Sequence, residues 1–374
     1  MRRRARWSGP LFWAAIAAGM WVHGSALAAQ EKETQPAGAP AVEYPSLHLS
    51  GFADITFAAQ AASEGPRGFS EGQFVLHLAS ALSPRVSFFG ELSFTPRADA
   101  GTGNPPATGF NAEVERVIVR FDQSDQLKVS FGRYHTPINY WNTAFHHGQW
   151  LQTTISRPEM VQFGGRFIPV HFVGALAEGS IPAGGLNLNY QAGVGNGRGS
   201  VISRANDAGD NNARPAWLVT AFAKPDRPLW LQVGGSVYFD RITIAGRPEV
   251  DERIVAAHAV WLREDPEVIA EIAHARHRDV NGLVSAGNLA YYVQAAYRLP
   301  PPAAAFKPYY RFEHIDIDRR DPVFSTIPNL DGSTAGIRFD ISTFVAVKTE
   351  VRSKRRSDIE PRTNGWFLQI SYTF

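Results

Sequence analysis

From about Ser46 to the last residue, apolar and polar positions alternate with period two. The final stretch, NGWFLQISYTF, shows the pattern: Trp366, Leu368, Ile370, Tyr372 and Phe374 are apolar, and Gln369, Ser371 and Thr373 between them are polar. Only a strand, whose successive side chains point to opposite faces, turns this spelling into one greasy and one polar surface. Sixteen such runs can be marked: 46–60, 72–82, 85–96, 112–121, 126–134, 164–179, 185–195, 215–224, 229–240, 253–263, 267–277, 288–299, 306–315, 334–341, 344–352 and 365–374. Their lengths centre on the ~9 to 11 residues that a tilted strand needs to cross a bilayer.

The connections alternate in length. Short turns fall at Ser83–Pro84, Asp122–Asp125, Ser180–Gly184, Pro225–Pro228, Glu264–Pro266, Pro300–Ala305 and Ser342–Thr343. Longer loops rich in Gly, Pro, Asn and Asp fall around 61–70, 96–110, 135–163, 195–214, 241–252, 278–287, 316–333 and 353–364. Up-and-down strands with all their turns on one side require this rhythm. The expected fold class is therefore all-β: a transmembrane antiparallel up-and-down β-barrel of sixteen strands with a long third loop. A soluble β-sandwich is the alternative, but it gives no reason for the alternation in loop length. An even strand number puts both ends on the periplasmic side. Closure of the first strand on the last removes the sheet edges that hydrocarbon would leave unsatisfied.

Parity then sorts each strand into two faces. Val86, Phe88, Leu92 and Phe94, or Leu289, Tyr291, Val293 and Tyr297, read as lipid-facing, as do Trp366 to Phe374 on the last strand. The opposite parity carries Arg116, Arg120, Lys128, Arg298, Arg311, Arg338, Lys348 and Arg352 together with acids such as Asp54, Glu91, Glu313 and Glu350. These eight bases are the candidate pore-lining residues, and charges of both signs predict a wet interior. Cross-strand pairing that stiffens the wall is the other reading of each one. Two spots break the pattern: Glu271 and His274 fall on opposite faces, and His258 shares a face with Ile254 and Val260. Either marks a bulge or a subunit contact.

The third loop is the most distinctive segment. It holds Trp141, Phe145, the pair His146 and His147, Trp150 and Arg157. So many aromatics are unexpected in a loop surrounded by water. The expectation is that it folds into the barrel, with Trp141, His146, His147, Trp150 and Arg157 forming the constriction. Packing on the rim or on a neighbouring subunit is the alternative.

The start of the chain adds a location. MRRRAR, the apolar run from Leu11 to Val22 and the small residues around Ala28 read as a secretory signal peptide, 1–28. A retained anchor is the alternative, but the run is shorter than the ~20 residues of a spanning helix. Residues 29–45 read as a disordered periplasmic leader too short for a plug domain, and 46–374 as the barrel. Removing 1–28 lowers the Lys and Arg count from 37 to 33 against 35 acids, so no nucleic-acid partner is expected. The absence of cysteine excludes a disulfide framework and thiol chemistry.

The opening LHLSGFADITF, the fifth strand VSFGRYHTP leading into the long third loop, the run FGGRFIPVHFVGALAEG, the strand end NYQAGVGNG and the terminal Phe374 resemble porins of the phosphate-selective O and P type. The resemblance implies a homotrimeric outer-membrane channel in outer-membrane lipid that passes small solutes or ions, often anions. In that family the third loop is the constriction, which would fall on 135–160 here, and lysines and arginines guide the anion. That role would fall on Arg116, Arg120, Lys128, Arg298, Arg311 and Arg338. A terminal aromatic on an alternating strand resembles the signal read by the barrel assembly machinery. The third loop departs from the family in carrying no lysine and only one arginine, Arg157.

Other function classes have little support. H-E-x-x-H does not occur, and the sequence places no Ser nucleophile beside a His base and an orienting group, so no enzyme activity and no cofactor are expected. His274 and His277, with His146 and His147, could bind a transition metal, but the first pair falls on opposite faces and a structural site needs about four converging ligands, so no metal site is assigned. A non-conducting structural or adhesive barrel acting through its outer loops is the remaining alternative to a passive diffusion channel.

Overall fold

The computed structural model describes residues 43–145, 147–162, 167–357 and 359–374. The signal peptide, 29–42 of the leader and His146 lie outside the described residues. Sixteen strands follow in chain order: β1 (His48–Gln60), β2 (Gly68–Ser83), β3 (Val86–Pro96), β4 (Phe110–Ser124), β5 (Leu127–His135), β6 (His171–Ile181), β7 (Leu188–Asn196) and β8 (Ala216–Ala223), then β9 (Leu231–Ile242), β10 (Val250–Trp261), β11 (Glu267–Asp279), β12 (Ser285–Ala296), β13 (Phe306–Asp316), β14 (Leu330–Asp340), β15 (Val345–Arg356) and β16 (Ile359–Thr373). Each pairs antiparallel with its chain neighbours, and β1 pairs with β16 to close the barrel.

The expected faces appear on the wall. Val117, Val119 and Phe121 of β4 and Trp366, Leu368, Ile370 and Tyr372 of β16 are exposed on the outer surface, whereas Gln369 and Ser371 are buried inside. At the seam, Phe374 and Gly51 exchange both backbone hydrogen bonds, N–H to O at 2.9 and 3.1 Å. A Cβ on Gly51 would collide with the Phe374 ring, which stacks on Phe74 at 5.9 Å.

Three expectations need correction. The sixth strand starts at His171, and Phe167, Ile168 and Val170 ahead of it are buried loop residues. The eighth long loop is a tight hairpin, because β15 and β16 run on to Arg356 and from Ile359. The interior is not wet throughout: a large apolar cluster fills the side lined by β8–β12. Ile254, Ala256, His258 and Val260 all face inward there, in unbroken register with β11, so neither a bulge nor a subunit contact is needed. His274 is exposed and His277 buried, on opposite faces as expected.

Candidate functional site

The third loop, described over 136–145, 147–162 and 167–170, enters the barrel and supplies the other half of that apolar cluster. Ile138, Trp141, Met160, Val161, Phe167 and Ile168 pack with Tyr238, Ile254, Val260, Ile269 and Tyr292 from the wall. Trp141 is fully buried, its ring centroid 4.9 Å from Phe145 and 6.0 Å from Tyr292.

An irregular segment removed from water must find partners for its backbone groups. Luminal acids take the N–H groups. Glu271 accepts from Tyr140 and Trp141 at the start of a short helix, α1 (Trp141–Ala144), at 2.8 and 2.6 Å. Glu350 accepts from Ile155 and Ser156 at 2.9 and 3.3 Å, and Glu313 from Glu159 at 2.8 Å. Luminal bases take the carbonyls. Arg311 donates to Ser156 O at 2.8 Å and Arg157 O at 3.0 Å, Arg338 to Trp150 O at 2.6 Å and Gln152 O at 2.9 Å, and Lys348 to Gln149 O and to Thr154 O, the latter at 3.2 Å. Within the loop, burial pushes the Tyr140 phenol up to about 12, so it stays neutral. Burial also opposes ionisation of Glu159, but the Lys354 ammonium bonded to it outweighs this and holds its carboxyl below the ordinary range.

The loops 197–215 and 317–329 add to the same side. Arg198 is bonded to Glu252 at 2.9 Å and to Phe167 O at 2.8 Å, and His277 bridges Glu252 and Asp321 at 3.0 and 2.7 Å. Phe324 lies edge-on to His277 at 4.4 Å.

Open space remains along the opposite wall. A cavity of about 600 Å³ at the long-loop end is lined by Glu113, Glu115, Arg133, His171, Arg204 and Asp207 among others. A second, of about 490 Å³ at the short-turn end, is lined by His48, Phe89, Arg116, Arg120, Tyr134 and Glu178 among others. They share no lining residue, and a band of ionisable groups separates them. Glu91 accepts from His77 at 2.9 Å and from Arg116 at 2.5 Å, with His135 at 3.5 Å. Glu115 contacts His171 at 2.8 Å and both His147 and Arg133 at 3.4 Å. Two irregularities build this band. A bulge in β4 leaves Glu115 unpaired between Val114 and Arg116. Past Gly132, whose φ is 146° and whose Cβ would strike Val117 O, the odd residues Arg133 and His135 reach luminal carboxylates.

The candidate residues thus separate into groups. Arg311, Arg338 and Lys348 hold the third loop. Arg352 pairs with Glu350 at 2.5 Å and lies over the Phe367 ring at 3.6 Å. Arg298 sits beyond β12, bridging Glu264 and Asp340 at 2.7 and 2.5 Å. Trp150 lies under Arg338 at 5.6 Å, and buried Arg157 donates to Val161 O at 2.9 Å. Arg116, Arg120 and Lys128 are on the open side; Arg120 pairs with Asp122 at 2.7 Å, and Lys128 lies in register with Asp122 and Glu178. Among the described loop candidates, His147 joins the band through Glu115. Glu115, Arg133, His135 and His171 were not singled out, because strict parity from Lys128 puts Arg133 and His135 outside.

No family model and no curated protein matches the sequence. Solved structures do. An anion-selective porin from Comamonas acidovorans is 13% identical, covering 88% of this chain and 100% of that one with a TM-score of 0.63. The outer-membrane channel DcaP of Acinetobacter baumannii is 10% identical, covering 88% and 98% with a TM-score of 0.60. OmpT of Vibrio cholerae, in its trimer form, is 11% identical, covering 89% and 100% with a TM-score of 0.57. The chain has the fold of these outer-membrane porins, and its closed wall with an apolar outer face makes it a protein of the bacterial outer membrane.

Proposed function

We propose that the barrel is a passive diffusion channel for small hydrophilic solutes that favours anions, phosphate among them, and works as a homotrimer. The observation that carries the sign preference is the unequal exposure within each ion pair of the band. The Arg116 side chain is 23% exposed and its partner Glu91 0%; Arg133 is 17% exposed and Glu115 4%. A solute passing from one cavity to the other meets guanidinium edges, with the carboxylates behind them. Such a charged, hydrated lining lowers the cost of stripping water from an ion. The anion selectivity named for the Comamonas porin and the trimer form of the Vibrio protein support the same reading.

Refolded protein in a planar bilayer under a KCl gradient is expected to give stepwise openings with an anion-favouring reversal potential. Arg120→Gln combined with Lys128→Gln is expected to move that potential toward the cation side. Openings that favour cations would remove the sign preference. A folded, heat-modifiable barrel that never conducts would leave a structural or adhesive role in its place.

A further inference from the structure

We propose that Glu91, His135 and His147 form a binding site for a transition-metal dication of the zinc class, and that the bound ion closes the passage. The closure rests on the channel reading above; the binding does not.

The three ligands come from β3, β5 and the third loop, yet one ligand atom from each lies within 4.8 Å of the others. Their side chains are 0%, 4% and 1% exposed, so the ion would sit in the wall between the cavities and not in bulk water. Zinc bonds of ~2.0 to 2.2 Å in a tetrahedral shell require donors roughly 3.3 Å apart. Glu91 Oε2 and His135 Nε2 already stand at 3.5 Å, and small side-chain rotations bring in His147.

The surroundings also fit. A ligating histidine ordinarily gives its second ring nitrogen to an acceptor, which fixes the ring. His147 Nδ1 lies 3.3 Å from Gln73 Oε1, leaving Nε2 to face the cluster. Glu115, held by Ser93 Oγ at 2.8 Å and 3.4 Å from His147, supplies either the fourth ligand or an outer partner. Two carboxylates, Glu91 and Glu115, are balanced by two guanidinium groups, Arg116 and Arg133. Net charge therefore does not select the ion; the imidazole donors do, favouring zinc, nickel, copper or cobalt over magnesium and calcium, which need oxygen-rich shells. Arg116 is the competitor for Glu91 Oε2, at 2.5 Å. Because β3 and β5 belong to the wall and His147 to the loop facing it, an ion bound to all three cross-links the two sides of the passage.

The refolded full-length barrel is titrated with Co²⁺ and followed by visible absorption. One ion per chain with the intense bands of nitrogen-ligated, low-symmetry Co²⁺ is expected, bleached by added Zn²⁺. His135→Ala and His147→Ala, checked for folding by heat-modifiable mobility, are each expected to weaken binding by more than about 10-fold. His135→Gln serves if the alanine variant does not fold, and His258→Ala, on the far wall, is expected to bind as the wild type does. Absence of the bands, or their survival in the double variant His135→Ala, His147→Ala, overturns the site. In the bilayer, Zn²⁺ is expected to reduce conductance and a chelator to restore it. Unchanged conductance with the ion bound overturns the closure. A barrel that conducts nothing before metal is added refutes the channel reading while the Co²⁺ spectrum stays intact.

Discussion

Replacing Arg311 by methionine keeps the length of the side chain and removes its charge and every donor. Arg311 is fully buried and donates to Ser156 O at 2.8 Å, Ser156 Oγ at 2.7 Å and Arg157 O at 3.0 Å, with Glu313 3.5 Å away. Hydrogen bonds from a charged donor contribute about 1.5 to 3 kcal/mol each. Their sum overstates the effect, because water reaches some of the released carbonyls. Breaking a buried ion pair by removing one partner costs about 3 to 5 kcal/mol, and that range is the expected destabilisation of the packed loop. At 1.4 kcal/mol per factor of ten, even the lower end raises the released-loop population more than about 100-fold. The assay is deuterium exchange at the amides of 153–161, read beside single-channel conductance. Exchange there is expected to accelerate by that factor and conductance to rise or become noisy. Arg120→Met, which removes a luminal arginine with no contact to the loop, is expected to leave exchange unchanged. Wild-type exchange and wild-type conductance in Arg311→Met would refute the view that luminal bases hold the loop.

Three further outcomes follow from the same structure. Trp141→Ala empties a fully buried site in the apolar cluster and is expected to cost about 3 to 5 kcal/mol, seen as a lower thermal midpoint in detergent; an unchanged midpoint would mean the cluster does not stabilise the fold. Gly51→Leu is expected to displace the Phe374 ring and reduce the fraction of heat-modifiable barrel on refolding, with Phe374→Ala partly restoring it; normal refolding of Gly51→Leu would count against that contact. Burial opposes ionisation of Asp321, but hydrogen bonds from His277 and Asn288 and from the Phe324 amide outweigh it and hold its carboxyl below the ordinary range. A depressed carboxyl stabilises above its unfolded value of about 3.9 and loses that contribution as pH falls through the folded value. Pepsin cleavage of 317–329 is therefore expected to stay slow down to about pH 4 and to accelerate below it; a rise near neutrality would contradict the assignment.

Strand order and face were readable because lipid and lumen impose a period of two on every wall segment, as in Trp366 to Tyr372. The reading failed where another constraint replaced that one. Phe167 and Ile168 look like strand residues because they are apolar, but it is the loop's own core that they fill. The polar run of β15 and β16 above the hydrocarbon looks like loop, since no apolar face is required there. The interior of β8–β12 was the least legible part: Ile254, Ala256 and Val260 face inward against a loop whose position no strand pattern encodes. Of the band between the cavities, Glu91 and Arg116 were visible from parity and His147 from its loop. Glu115, His135 and His171 were not, because the β4 bulge shifts the alternation there by one residue, both Tyr134 and His135 are buried at the end of β5, and pairwise proximity across strands is set by register.

The β1–β16 pairing has a consequence for how the wall comes into being. Phe52 lies opposite Thr373 and Gln60 opposite Gly365, so these contacts join positions separated by almost the whole chain. Every other strand pair closes a local hairpin, whose entropic cost is small and grows slowly with length. The last pairing is different in kind, because none of it is available until all fifteen hairpins have formed in register. An unfinished sheet in lipid carries two rows of unbonded backbone groups and gains nothing from shedding its final strand. Formation is therefore expected to end in a single late, all-or-none event, and its slowest step is set by the topology of the ring, whatever the solute that later passes through it.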